Sequence, residues 1–347
     1  METFKLPLVT ALKGRHFLST GDLSGSEFDA LLSLALAGKK AGRQAFGTPL
    51  AGRGVGLVFF NPSLRTRTSM IMATAQLGGQ AVPLEIGAGT WNLEHQDGVT
   101  MDGAATEHVR EAVPVLGRYV DAIGVRCFPA LRDLAFDRTD PVLHAFARHS
   151  TVPVINLESS MHHPCQALAD MMTIKEKLGD LKRRKVTLIW ANHPKVLPHA
   201  VPNSFALAAL QSGVDLTIAA PPAYLPDDQS VAALQQIAAV NGGQLRLTTE
   251  RQSAYEGAEV IYAKSWASTR YYGQIEDDLN YRRGFVDWQV TAEWMRRTNN
   301  GMFMHCLPVR RNVVVEDAVL DSDRSVVIDQ AENRLHAQKA LLASILA

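Results

Sequence analysis

VGLVFFNPSLRTRTS, Val55 to Ser69, decides how this chain is read. Its first part, VGLVFF, is a run of branched and aromatic apolar residues of strand length. Asn61 then suits the cap of a following helix, and Pro62 its first turn. Ser63, Leu64, Arg65 and Thr66 come next, offering free backbone N–H groups, hydroxyls and a guanidinium. Such a helix start is an anion socket, because the positive dipole end and charge-assisted donors meet there. A strand running straight into a helix also predicts parallel strands, with ligands at their carboxyl ends.

The same alternation extends along the chain. AVPLEI, AIGVRCF and VPVINL follow in the first half, and KVTLIWA, DLTIAA, QLRLTT, EVIYAKSW and GMFMHCLP in the second, with amphipathic stretches between. This pattern over 347 residues predicts an α/β fold of two doubly wound parallel-sheet domains. The first is expected over residues 1–156 and the second over 157–329, the change falling near Val154 to Met161. Asn333 to Ala347 reads as one amphipathic helix, and a helix over about 330–347 is expected to pack back on the first domain. Gly87 to Gly103, GAGTWNLEHQDGVTMDG, reads as neither strand nor helix. Long polar loops in compact domains are functional or disordered, and Trp91 is an unusual residue to leave in one.

Composition narrows the function. Lys+Arg and Asp+Glu are both 35, so no basic excess points to nucleic acid or an anionic membrane. Cys127, Cys165 and Cys306 are odd in number, widely spaced and without a CxxC pair. That speaks against a disulfide scaffold or structural zinc and fits a reducing compartment. The first twenty residues lack a compact apolar run with a cleavage site, and no stretch approaches ~18 uninterrupted apolar residues. A cytoplasmic protein without membrane segments, metal or cofactor is expected. A nicotinamide dehydrogenase would show GxGxxG between strand and helix, whereas GRGVG, Gly52 to Gly56, precedes its strand.

SLRTRT resembles the phosphate-binding signature of the aspartate/ornithine carbamoyltransferase superfamily. GVRCF at Gly124 to Phe128, HPCQ at His163 to Gln166 and HCLP at His305 to Pro308 follow in that superfamily's order, across about 250 residues. The resemblance covers essentially the whole chain. It implies transfer of the carbamoyl group of carbamoyl phosphate to an amine, through a tetrahedral centre whose oxygen gains negative charge. Thr66, Arg126 and His163 are implied as donors to that oxygen. Ser63, Leu64 and Arg65 would hold the phosphate, with Arg334 reaching back from the final helix. Pro164, Cys165, Gln166, Cys306 and Leu307 would complete the carbamoyl phosphate site, the Leu307 carbonyl orienting an N–H of the carbamoyl group. Cys306 next to His305 on a strand would point to the opposite face, which disfavours a thiol nucleophile. Trp91 matches the family's loop residue that enters a neighbouring subunit's site, so a homotrimer is implied.

The acceptor amine is marked by Lys264, in VIYAKSWAS, where ornithine enzymes carry an aspartate and an SMG-type loop. A lysine repels a free α-ammonium but suits a substrate whose α-nitrogen is acylated. WANHPK, YAKSW, HCLPVRRN and AENR are likewise similar to the N-acyl-ornithine branch, which works in arginine biosynthesis and accepts N-acetyl- or N-succinyl-L-ornithine. Acetyl-type enzymes carry a glutamate where this chain has Thr106, and a lysine where it has Val314. A glutamate would oppose a succinyl carboxylate by about 1–4 kcal/mol at ~4 Å. The spacing from Glu158 to His163 is also of the succinyl type. The resemblance thus implies N-succinyl-L-ornithine, with N-acetyl-L-ornithine and then plain ornithine as alternatives. His193, Lys264 and Arg310 become carboxylate partners, and Glu158 a partner for the amide or amine.

Overall fold

The computed structural model describes residues 6–347, so residues 1–5 of the expected first domain lie outside the described residues. The chain forms two compact units. One comprises the chain up to Pro129, Ala135–Leu168 and Arg334–Ala347; the other comprises Ala130–Leu134 and Ala169–Asn333.

The first unit is built on β1 (Gly54–Phe59), β2 (Gln80–Glu85), β5 (Ala122–Arg126) and β6 (Val154–Glu158). They form one sheet, in the order β2-β1-β5-β6, with every pair parallel. All five residues of β5 and five of the six in β1 are buried, which explains their near-continuous apolar sequence. Val58, Ile123, Val125 and Val154 pack with Phe146 in the core of this unit. Gly124 is needed for close packing within the sheet. A Cβ there would lie 2.9 Å from Leu157 Cδ1 and 3.2 Å from Leu57 Cδ2. The chain leaves β1 for β2 on one side and returns to β5 on the other, so the order reverses between β1 and β5. Loops at the carboxyl ends of two such strands diverge and leave room for a ligand. Phe59 and Arg126 are the residues at those ends.

The second unit repeats the plan with β7 (Lys185–Trp190), β8 (Asp215–Ala219), β9 (Gln244–Thr248), β10 (Val260–Lys264) and β11 (Met302–Met304). The order is β11-β10-β7-β8-β9, again all parallel. Here the reversal lies between β7 and β10, whose carboxyl ends are Trp190 and Lys264.

Three expectations change. The loop from Gly87 to Gly103 contains β3 (Leu93–Glu94), which pairs with β4 (Glu107–His108) in a two-residue ladder. So short a pairing leaves no readable period. The last helix spans Val327–Leu346, beginning ahead of Asn333, because Val326 and Val327 are buried and the Val326 carbonyl already accepts the Gln330 N–H. Apart from the short excursion Ala130–Leu134, the chain passes between units inside helices Pro164–Leu178 and Val327–Leu346, not near Val154 to Met161. A continuous helix carries none of the Pro, Gly or polar signals that mark a linker. Among the described residues no helix is long and apolar enough to cross a membrane.

Candidate active site

The helix after β1 spans Arg65–Gln76, with Leu64 as its N-cap and no side-chain bond from that cap. Asn61 does not cap it: its Oδ1 accepts the Phe128 N–H at 2.7 Å, tying the end of β1 to the end of β5. Pro62 precedes the first turn, and its carbonyl accepts Arg126 Nη2 at 3.4 Å. The local cap is Ser63, whose Oγ accepts the Thr66 N–H at 3.2 Å. Ser63 stands three residues before Thr66, the spacing of an N-cap hydroxyl, so one of the four expected amides is already used. The Leu64 side chain is 77% exposed and Arg65 is half-buried. Arg67, two residues on from Arg65, forms an ion pair with Glu85.

Arg126 is buried at the end of β5, with its guanidinium 4.4 Å from the centroid of the Phe128 ring. Its Nη1 forms an ion pair with Glu158 Oε2, at the end of β6. His163 is also buried, and its Nε2 lies 3.4 Å from the same Glu158 oxygen. Donors from two different loops thus converge on one oxygen. Groups that share a carboxylate oxygen are placed to share a carbonyl oxygen that gains charge in a tetrahedral transition state.

A second chain of bonds sits beside the helix start. Arg334 donates from Nη2 to Thr66 Oγ1 at 2.9 Å and from Nη1 to Gln166 Oε1 at 2.7 Å. All three residues are buried. Arg334 therefore fixes the Thr66 hydroxyl as an acceptor of its own charge, which orients the hydroxyl hydrogen elsewhere. Pro164 opens helix Pro164–Leu178, and Cys165 is buried in its first turn with Sγ 3.6 Å from the Asn156 carbonyl. Burial pushes the Cys165 thiol up to about 12, so it stays protonated and inert near neutral pH.

Trp91 and Thr106 stand apart from this cluster. Trp91 is 56% exposed and donates from Nε1 to Glu107 Oε2 at 2.7 Å. Thr106 is exposed, and its N–H bonds the Asn92 carbonyl at 3.1 Å. These bonds tie the loop to the segment that leads into β4.

In the second unit, His193 follows β7 and Lys264 ends β10, on the two strands where the order reverses. Arg310 Nε donates to His193 Nε2 at 3.2 Å, while His193 Nδ1 lies 3.1 Å from the Lys195 carbonyl. The Lys195 N–H also donates to Nδ1, at 3.0 Å. Burial, with the Lys264 and Arg310 charges added, pulls His193 down to about 4. Near neutral pH the His193 ring is therefore uncharged, and it accepts the Arg310 Nε–H. The unfolded chain protonates this histidine near 6.5, so its contribution to stability is lost as pH falls from about 6.5 to about 4. His193→Gln is expected to flatten the fall in urea midpoint across that window. An unchanged pH slope would remove His193 from this account. Cys306 and Leu307 lie beyond β11, which ends at Met304, so strand alternation does not govern them. His305 is buried, with Nδ1 accepting the Leu307 N–H at 2.9 Å.

Three contributors escape a sequence reading. Asp278 and Arg282 look like an ordinary i,i+4 surface pair, yet both are buried at 2.6 Å. Arg282 also donates to the carbonyls of His193 and Lys195 at 2.9 and 2.8 Å, fixing the loop that carries His193. Asp140, buried and at φ 43, accepts bonds from the turn before His163. Only its DP dipeptide hinted at a special backbone. Among the described residues no group of three or more His, Cys, Asp or Glu could hold a metal ion.

Residues 15–176 match the family described as aspartate/ornithine carbamoyltransferase, carbamoyl-P binding domain, and residues 185–345 its Asp/Orn binding domain. The N-acetylornithine carbamoyltransferase of Xanthomonas campestris pv. campestris is 46% identical over 335 residues, 96% of this chain and 98% of its own. The N-succinylornithine carbamoyltransferase of Bacteroides thetaiotaomicron is 42% identical over 280 residues, 80% of this chain and 82% of its own. A crystal structure of a glutamate-to-alanine variant of N-acetyl-L-ornithine transcarbamylase, with carbamyl phosphate and N-succinyl-L-norvaline, superposes with a TM-score of 0.92. It is 46% identical and covers 96% of this chain and 100% of its own.

Proposed function

Since this chain belongs to the aspartate/ornithine carbamoyltransferase family and is a carbamoyltransferase, we propose that its acceptor is the side-chain amine of N-succinyl-L-ornithine. The products are then N-succinyl-L-citrulline and phosphate, within arginine biosynthesis. The convergence of Arg126 and His163 on one oxygen carries the mechanism. Arg65, Ser63 and the amides of the helix start take the phosphoryl group. Arg126 and His163 draw electron density onto the carbamoyl oxygen, and the substrate amine attacks the carbon they polarise. Phosphate leaves as the tetrahedral centre collapses and the C–O bond breaks, taking up the proton that the amine nitrogen gives up. Carbamoyl phosphate is already activated, so positioning and electrostatics supply the rate.

Support for an acylated substrate comes from Lys264 at the end of β10, beside neutral His193 and Arg310. These cations suit carboxylate and amide oxygens and repel a free α-ammonium. Support for succinyl over acetyl comes from Thr106 and from buried Val314, which remove the glutamate and the lysine of acetyl-type relatives. In relatives of the acetyl type that hold N-succinyl-L-norvaline, one glutamate has been replaced by alanine, proline, serine or valine. N-acetyl-L-ornithine is the second reading, favoured by overall identity of 46% against 42%. The exposed Trp91 loop supports a homotrimer in which Trp91 serves a neighbouring subunit's site.

The test is a citrulline-type product assay with carbamoyl phosphate and ornithine, N-acetylornithine or N-succinylornithine. N-succinylornithine should give the highest kcat/KM, and a preference for free ornithine would overturn the acyl reading. Thr106→Glu should shift preference toward N-acetylornithine by about tenfold or more, as expected for a like charge facing the succinyl carboxylate. Unchanged selectivity would remove Thr106 from the site.

A further inference from the structure

We propose that Asp140 is a positioning residue for His163, acting through the turn Ser159–His162. The inference rests on the reading of His163 as a donor to the carbamoyl oxygen. Asp140 is the N-cap of helix Pro141–His149, where an aspartate ordinarily bonds the amides of its own helix. Its side chain makes no such bond, and its backbone sits in the left-handed region at φ 43, ψ 53. That conformation is costly for a residue with a Cβ and persists where the surroundings impose it.

The carboxylate is instead turned toward the segment that delivers His163. Oδ1 accepts the Ser160 N–H at 2.7 Å and the Met161 N–H at 3.3 Å. Oδ2 accepts from Ser159 Oγ at 2.8 Å. Ser159 Oγ in turn accepts from Asn156 Nδ2 at 2.9 Å and from the His162 N–H at 3.3 Å. The turn closes with the Ser159 N–H on the His162 carbonyl at 2.8 Å. Asp140, Asn156 and Ser159 are all buried, so these bonds face little competition from water. Glu158 enters this turn and His163 leaves it. Its shape therefore sets where the His163 imidazole stands against Glu158 Oε2, 3.4 Å away. A displacement of ~1 Å in such a donor can cost up to about 10² in rate.

A double-mutant cycle separates positioning from bulk stability. Asp140→Asn keeps the size but opposes a donor to the turn's amides, and should lower kcat by about tenfold with a smaller change in the carbamoyl phosphate KM. In a His163→Gln background the same change should lower kcat by less than about twofold, because residues acting as one unit are not additive. An equal tenfold loss in both backgrounds would make Asp140 a general structural residue and overturn the proposal. Should Asp140→Asn fail to fold, Ser159→Ala removes one bond of the network and goes through the same cycle with the same two readings. His163→Gln alone tests the underlying assignment. A near-normal kcat there would remove His163 from the chemistry, whatever Asp140 does.

Discussion

Arg65→Ala is expected to lower kcat/KM by about 10³-fold or more while the protein keeps its fold. Two losses combine. The guanidinium at a helix start gives charge-assisted bonds to a phosphoryl group, and those bonds strengthen as the leaving phosphate gains charge. Removing one donor of transition-state charge already costs about 10²–10³ in kcat, before weaker ground-state binding is counted. Stability should hardly change, since Arg65 is half-buried in the first turn and alanine is the better helix former. Product assays across carbamoyl phosphate concentrations, with the urea midpoint recorded in parallel, give both numbers. Near-normal turnover would place the phosphate elsewhere.

Arg126→Leu should damage activity and stability together. The Arg126 and Glu158 side chains are only 10% and 13% exposed, so loss of the guanidinium leaves a carboxylate in a dry site beside His163. Breaking a buried pair from one side costs about 3–5 kcal/mol, more than the pair itself contributes over an apolar replacement. Arg126→Leu combined with Glu158→Leu should therefore recover most of the urea midpoint and none of the turnover. Recovery of activity in the double variant would show that Arg126 merely neutralises Glu158. A single variant as stable as the parent would deny the pair its buried character.

The sequence alone determined the elements and their order. Continuous Val, Ile, Leu and Phe runs such as VGLVFF and KVTLIWA form strands buried on both faces, and that signal is local. SLRTRT put a helix start directly after the first such strand, and HPCQ put His163 just ahead of another, because both depend on neighbours a few residues apart. Asn61 was misread for the same reason: a capping residue was visible, but its actual partner, the Phe128 N–H, lies 67 positions away. Tertiary structure alone decided which side chains meet. Thr66 and Arg334 are joined across 268 positions, and Arg126 and Glu158 across 32. It also decided that Asp140 turns from its own helix to the His163 turn, and that Asp278 and Arg282 form a buried pair rather than a surface one. Periodicity reports which face of an element avoids water. The order in which parallel strands are laid down decides which loops share an edge, and so which charges, hydroxyls and amides come within bonding distance.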